Sequence, residues 1–301
     1  MPITADHSAG VFRIDTPDSS LFFTARDGFL FQPWWGARCG PGAPADYAFL
    51  LTPVPRSSFS PPAPGREWSP DEAPLAWPVA GSGDSRHPAL HVQYADGTTS
   101  SRLEFDAAEI TDTLHIPGDM PHLSALPGEK TGTLTLRLAD RFRKLGVELY
   151  LSVIEGHDAI ISSARITNTG SAACSVLTAA SACMHLPANI REQITLPGSW
   201  ARERQIERQP VTHGIRTTGS TRGISGHTAN PFTALLETGA TETTGSVYGF
   251  SLVHSGDFTI ASELDQFDSL RVSAACGNRD FAWNLSPGES FETPQAVLVY
   301  S

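Results

Sequence analysis

The sequence predicts an all-β chain folded as a large antiparallel β-sandwich, on three observations. Apolar residues recur with a period of two in many short segments, turn-type residues separate those segments, and no stretch sustains a helical apolar period convincingly. Alternation of this kind marks a sheet with one face on a core and the other toward solvent.

Taken in chain order, residues 11–16, 20–25 and 29–35 read as opening strands, the last two joined by Asp27-Gly28. A turn at 40–44 precedes a short apolar run, 47–51, which also reads as a strand. Residues 53–88 concentrate proline, serine and glycine without a lasting period, the composition of a linker. The strands before it are too few to close a core, however, so it is expected to be a long ordered excursion lying against one continuous sandwich. Residues 89–95 end at Asp96-Gly97. In 133–140, Leu134, Leu136 and Leu138 share a face, and Val147, Leu149, Leu151 and Val153 repeat the pattern after a turn at 144–146. Residues 159–167 and 176–186 flank Asn168-Thr169-Gly170, and strands follow at 247–253, 258–263, 270–275 and 281–285. Ser286-Pro287-Gly288 then precedes a last strand at 295–300. No internal repeat is visible.

With 301 residues and 40% hydrophobic content, the chain has ample material for a core. Its formal net charge of -11 argues against a nucleic-acid partner, since phosphate binding requires clustered Lys and Arg. No apolar run approaches the roughly 20 residues of a spanning helix, so no membrane is expected. The first ten residues lack the basic and then apolar order of an export signal, and a cytoplasmic location is expected. Cys39, Cys174, Cys183 and Cys276 are scattered, without a C-x-x-C pair or a histidine spaced for zinc; they read as reduced structural thiols, with no metal site and no cofactor.

Composition does not explain residues 196–235. They run L-P-G-S-W-A-R-E-R and later S-T-R-G-I-S-G-H-T-A-N-P-F, an exposed-type tryptophan among alternating charges and a Gly-His loop. The segment resembles the N-terminal domain of bacterial α-galactosidases of glycoside hydrolase family 36, in which a W-A-R-E-R run is followed by a basic strand and a loop of this kind. Other parts of the chain agree in order. F-F-T-A-R-D-G-F-L-F-Q-P-W-W-G resembles the family's first hairpin, and Ala45-Asp46-Tyr47 falls where the family has an acid near an aromatic. W-P-V-A-G-S-G-D-S-R-H-P resembles Y-P-x-x-G-x-G-D-F-R-x-P, with Trp77 and Ser85 as departures. P-H-L-S-A-L-P, I-T-N-T-G and V-Y-G-F-S-L-V-H-S-G-D-F are also similar to the family.

The resemblance implies an antiparallel β-supersandwich, a galactose mutarotase-like double sheet, over residues 1–301. It also implies a catalytic (β/α)8 barrel after residue 301, whose aspartates act as nucleophile and acid/base. Those residues are absent here, so no catalytic residue is expected in this chain, and its end on an apolar strand is expected to reflect truncation.

Two residues are singled out for substrate binding. Asp46 on its own reads as a solvated turn aspartate; the resemblance implies a carboxylate accepting hydrogen bonds from galactose hydroxyls. Trp200 reads either as a partly buried packing residue or as a flat platform for the C–H face of a sugar. The resemblance implies the second, and places Asp46 and Trp200 together at one edge of the sandwich. Glu203 and Arg208 read as solvated surface charges, while Arg204 is open between rim and ion pair. Arg222, Gly223, His227 and Asn230 read as loop-shaping, with Gly223 and Gly226 at positive φ and Pro231 ending the loop. Trp34 and Trp35 read as an exposed-type pair that packs the core or touches a neighbouring subunit.

The leading functional expectation is therefore the N-terminal part of a retaining α-galactosidase acting on melibiose- and raffinose-type sugars. Its partners would be α-galactosides, its own barrel and neighbouring subunits of a homotetramer, and the chain alone would be inactive. A non-catalytic carbohydrate-binding module is the alternative. An aldose mutarotase is a weaker one, because that chemistry needs a His and a Glu facing each other across a cleft, and no pair stands out.

Overall fold

The structure, a computed structural model, describes residues 2–51, 68–118 and 120–301. The first strands are β1 (Ile3–Asp6), β2 (Val11–Asp15), β3 (Ser19–Arg26) and β4 (Phe29–Ala37), followed by a 3-10 turn at Pro44–Leu50. Next come β5 (Leu90–Tyr94), β6 (Glu104–Thr111), β7 (Thr131–Asp140), β8 (Leu145–Ile154), β9 (Ile160–Asn168) and β10 (Cys174–Leu186). The second half holds β11 (Ile190–Pro197), β12 (Glu207–Pro210), β13 (Gly214–Ser220), β14 (Ala229–Glu237) and β15 (Val247–Leu252). Last are β16 (Phe258–Leu264), β17 (Leu270–Cys276), β18 (Trp283–Leu285), β19 (Ser290–Glu292) and β20 (Ala296–Tyr300).

All the sheet ladders are antiparallel. β1 to β4 form a four-stranded meander. A six-stranded sheet runs β13-β16-β17-β10-β18, with β5 also on β10, and a ten-stranded sheet runs β12-β11-β14-β15-β20-β9-β8-β7-β6, with β19 on β9. The Leu134/Leu136 and Val147/Leu151 faces pack inward as their alternation requires, and one buried cluster joins them to Phe12 and Leu21 of the meander, Val176 of β10, Phe250 of β15 and Val272 of β17. This is the expected all-β supersandwich.

β17 is buried along both faces, unlike a half-solvated strand. The described end of the proline-rich excursion reaches it: Arg271 of β17 pairs with Asp84 and donates to the His87 carbonyl. Residues 68–88 lay Trp77 and Val79 into the main cluster and pack Trp68, Ala73 and Leu75 on Phe31 in a smaller one. Residues 53–67 of that expected loop lie outside the described residues. No helix among the described residues is long and apolar enough to cross a membrane. The four cysteines are free, three of them buried.

Candidate functional site

Asp46 sits on a rigid shelf, and Arg13 is what makes it rigid. Arg13 is only 4% exposed. From β2 its guanidinium donates to Asp15 at 2.9 Å and to the carbonyls of Cys39 and Gly40, each at 3.0 Å. It also lies 4.9 Å over the Tyr47 ring. Tyr47 donates its hydroxyl proton to the Gly40 carbonyl at 2.5 Å, and its ring sits 4.9 Å from Phe22 of β3. The loop is therefore fixed by a planar five-donor fork that a point-charge ammonium could not replace. Residues 47–50 belong to the 3-10 turn and Leu51 caps it, which corrects the strand reading. Pro44 begins the turn with a preset φ, and the Asp46 carboxylate accepts from the Ala43 N–H at 2.9 Å. Asp46 is exposed, and this bond uses one of the roughly four acceptor positions of a carboxylate.

Trp200 lies on the turn between β11 and β12, 84% exposed. Beneath it the backbone is tightly closed: Ser199 and Arg202 exchange N–H···O bonds of 3.1 and 2.9 Å. Ala201 and Arg204 hold φ of 60° and 53°. The Glu203 carboxylate accepts from the Ala201 N–H at 2.9 Å, so its role is to hold the turn. Gly198 is required, because a Cβ there would come within 2.6 Å of the His227 carbonyl oxygen and 2.7 Å of that of Arg202. A large aromatic held in solvent on a fixed turn is a presented surface, since its exposure contributes nothing to the core.

Arg204 lines a cleft of about 480 Å³ with Leu196, Ser225, Gly226, His227 and Asn230, so the W-A-R-E-R turn and the Gly-His loop are neighbours. Arg208 is tied to Glu192 and to the Ala240 carbonyl. Two loop readings are corrected. Gly223 has φ of 78°, whereas Gly226 is absent from the positive-φ positions. Pro231 lies inside β14, at a register irregularity between Thr195 and Pro197 of β11, where a missing N–H is tolerated.

Asp46 lies on the 3-10 turn that follows the four-stranded meander and Trp200 on the turn between β11 and β12 of the ten-stranded sheet, and no described contact or cavity joins them. Of the two readings left open for Trp34 and Trp35, Trp35 takes the core one. It is 1% exposed, edge-on to Tyr248 and Phe250 at 5.0 and 5.6 Å. Among the described residues no group of three or more His, Cys, Asp or Glu is placed to hold a metal ion. Of the histidines, His115 Nε2 donates to the Glu292 carboxylate at 2.6 Å and its ring stacks on Tyr150, and His157 meets Glu129 at 2.9 Å. Both pairs are in direct contact.

The G-D-S-R motif has a structural role that the sequence reading left unassigned. Asp84 is buried between two guanidiniums, paired with Arg271 and with Arg86 at 2.9 Å. Arg86 also reaches Asp265 at 3.2 Å and the Ala73 carbonyl at 2.7 Å. Burial penalises the Asp84 charge, but Arg271 and Arg86 more than offset it and hold the carboxyl at about 2. Burial, with the nearby Asp84 charge adding to it, raises Glu263 above its ordinary value, although its carboxylate accepts from the His87 N–H. The cluster ties the excursion to β17.

The family model for the glycosyl hydrolase family 36 N-terminal domain matches residues 28–286. The chain belongs to this family. It is 38% identical over 288 residues to α-galactosidase AgaA of Geobacillus stearothermophilus, which covers 92% of this chain and 38% of that protein. The crystal structure of α-galactosidase AgaB from the same organism superposes with a TM-score of 0.93 at 34% identity, over all of this chain and 41% of its own. A variant of AgaA in complex with raffinose superposes at 0.90 and 35% identity, over 97% of this chain and 40% of its own. Another AgaA variant was solved with stachyose. This family 36 N-terminal domain thus spans about two fifths of the length of these relatives.

Proposed function

We propose that residues 1–301 are the substrate-positioning and assembly domain of a retaining α-galactosidase that releases terminal α-linked galactose from melibiose- and raffinose-type oligosaccharides. The observation that carries this reading is the Asp46 shelf: an exposed carboxylate with open acceptor positions, locked by Arg13, in a domain of this family. A fixed carboxylate takes two neighbouring hydroxyls of one epimer and leaves the other epimer unpaired, which is strong discrimination. Trp200 supplies a platform for the apolar face of the sugar. The two carboxylates of a retaining glycosidase, about 5 to 5.5 Å apart, would come from a (β/α)8 barrel that follows this domain, in a cytoplasmic homotetramer. This chain's residues then bind and orient substrate, with no bond-breaking step of their own.

The test joins this chain to a family 36 barrel. Asp46→Ala is expected to lower kcat/KM by about ten-fold or more, the loss of a charged hydrogen bond, and Trp200→Ala to raise KM. The 301-residue chain alone is expected to leave p-nitrophenyl α-galactoside intact. Turnover by the chain alone, free of contaminating enzyme, would sink the assignment of the chemistry to a barrel.

A further inference from the structure

A 3-10 helix has about three residues per turn and about 2 Å of rise per residue, so side chains three apart eclipse one another. Burial along the turn at Pro44–Leu50 follows that period. Ala43, Asp46 and Phe49 are exposed, while Pro44, Tyr47 and Leu50 are half-buried. The inner stripe is packed, since the Tyr47 ring sits 4.9 Å from Phe22 and 4.9 Å from the Arg13 guanidinium. The outer stripe sets one carboxylate and one aromatic ring side by side in solvent, their backbones about 6 Å apart along the axis.

Phe49 is 66% exposed. A single exposed apolar residue needs no explanation by itself; Phe49 differs in its register with Asp46 and in its footing. Its ring lies 6.2 Å from that of Tyr47, tilted by 32°, and Tyr47 is fixed in turn by its hydroxyl on the Gly40 carbonyl. The ring therefore stands on the same locked shelf as the carboxylate, and a side chain already held in place loses little freedom when a ligand settles on it.

A pyranose is divided in a matching way. Its hydroxyls project from the rim, and its C–H groups leave apolar patches on the faces. The axial 4-hydroxyl of galactose leaves the C–H groups of C3, C4 and C5 together on the opposite face. A carboxylate about one ring width from an aromatic face suits that division, because one sugar can give rim hydroxyls to the first while laying C–H groups on the second.

We propose that Phe49 is a further substrate-binding residue of this shelf, an aromatic platform for the C–H face of the same galactose ring that donates its hydroxyls to Asp46. The proposal rests on the reading of Asp46 given above and does not involve Trp200.

The test uses the chain joined to a family 36 barrel, assayed on melibiose, with circular dichroism to confirm the fold. Phe49→Ala is expected to raise KM about three- to ten-fold, the size of one aromatic contact, with kcat little changed, as when binding common to substrate and transition state is lost. Phe49→Leu keeps apolar bulk and loses the flat face; it is expected to stay as weak as Phe49→Ala, while Phe49→Trp keeps KM near that of the native chain. Because both residues hold one ring, the double variant Asp46→Ala/Phe49→Ala is expected to lose less kcat/KM than the product of the two single losses. An unchanged KM in Phe49→Ala beside a fall in kcat/KM in Asp46→Ala would overturn the platform and leave the Asp46 reading standing. Unchanged kinetics in both single variants would overturn both. Full recovery in Phe49→Leu, or losses that multiply independently, would show a packing role in place of a shared ring and overturn the proposal.

Discussion

At the residue scale, Asp84 shows how a charge can be both buried and necessary. Its folded value of about 2 lies below the ordinary 3.8, so the ionised form is favoured in the folded state. Its contribution is fully present above about pH 4 and is lost as pH falls toward about 2; the difference corresponds to about 2 kcal/mol. Denaturant unfolding measured between those pH values is expected to show this loss in the native chain. Asp84→Asn, which leaves Arg271 without its carboxylate, is expected to abolish that pH step and to cost about 3 to 5 kcal/mol at neutral pH. Trp200→Ala is the opposite case. With 84% of the residue in solvent, its removal is expected to change stability by no more than about 0.5 kcal/mol, measured in the same way. The sequence displayed G-D-S-R plainly but not its purpose, because the deciding partner, Arg271, lies 187 positions away from Asp84 and no local pattern encodes it. Trp200 was legible because its neighbours are charged and its exposure is local.

At the element scale, legibility followed burial. β7 and β8 appear almost residue for residue in the Leu/Val alternation, since one face of each lies on the core. β12 and β13 carry no alternation because they are mostly exposed edge strands; only the family resemblance, with its basic strand after W-A-R-E-R, implied a strand in this segment. β14 was hidden by Asn230 and Pro231, which imitate a loop where the ladder with β11 is irregular. The 3-10 turn was misread because a five-residue apolar run fits strand and helix equally; the deciding signals were Pro44 and the Asp46 cap. Arg13 is the element's anchor. Arg13→Lys, with one ammonium in place of the fork, is expected to increase amide hydrogen exchange across residues 39–47 while strands β7 and β8 keep their protection. Unchanged exchange there would show that the shelf is held by something other than Arg13.

At the scale of the whole molecule, the three sheets share one buried cluster, and the described part of the proline-rich excursion is tied to it by Trp77, Val79 and the Asp84 ion pairs. Phe250→Ala, in the middle of this cluster, is expected to cost about 3 to 5 kcal/mol and to shift a single unfolding transition, seen identically by far-UV and near-UV circular dichroism. The family could be read from the order of the motifs, which the fold confirms. The meeting of Asp46 and Trp200 at one sugar was an expectation of another kind, since the two lie on turns attached to different sheets of this domain, and its natural test is catalytic. The most direct measurement is kcat/KM on melibiose for Asp46→Ala in the chain joined to a family 36 barrel. A fall of about ten-fold or more, with the fold intact by circular dichroism, is the result predicted for a carboxylate that positions the sugar; an unchanged kcat/KM would contradict it.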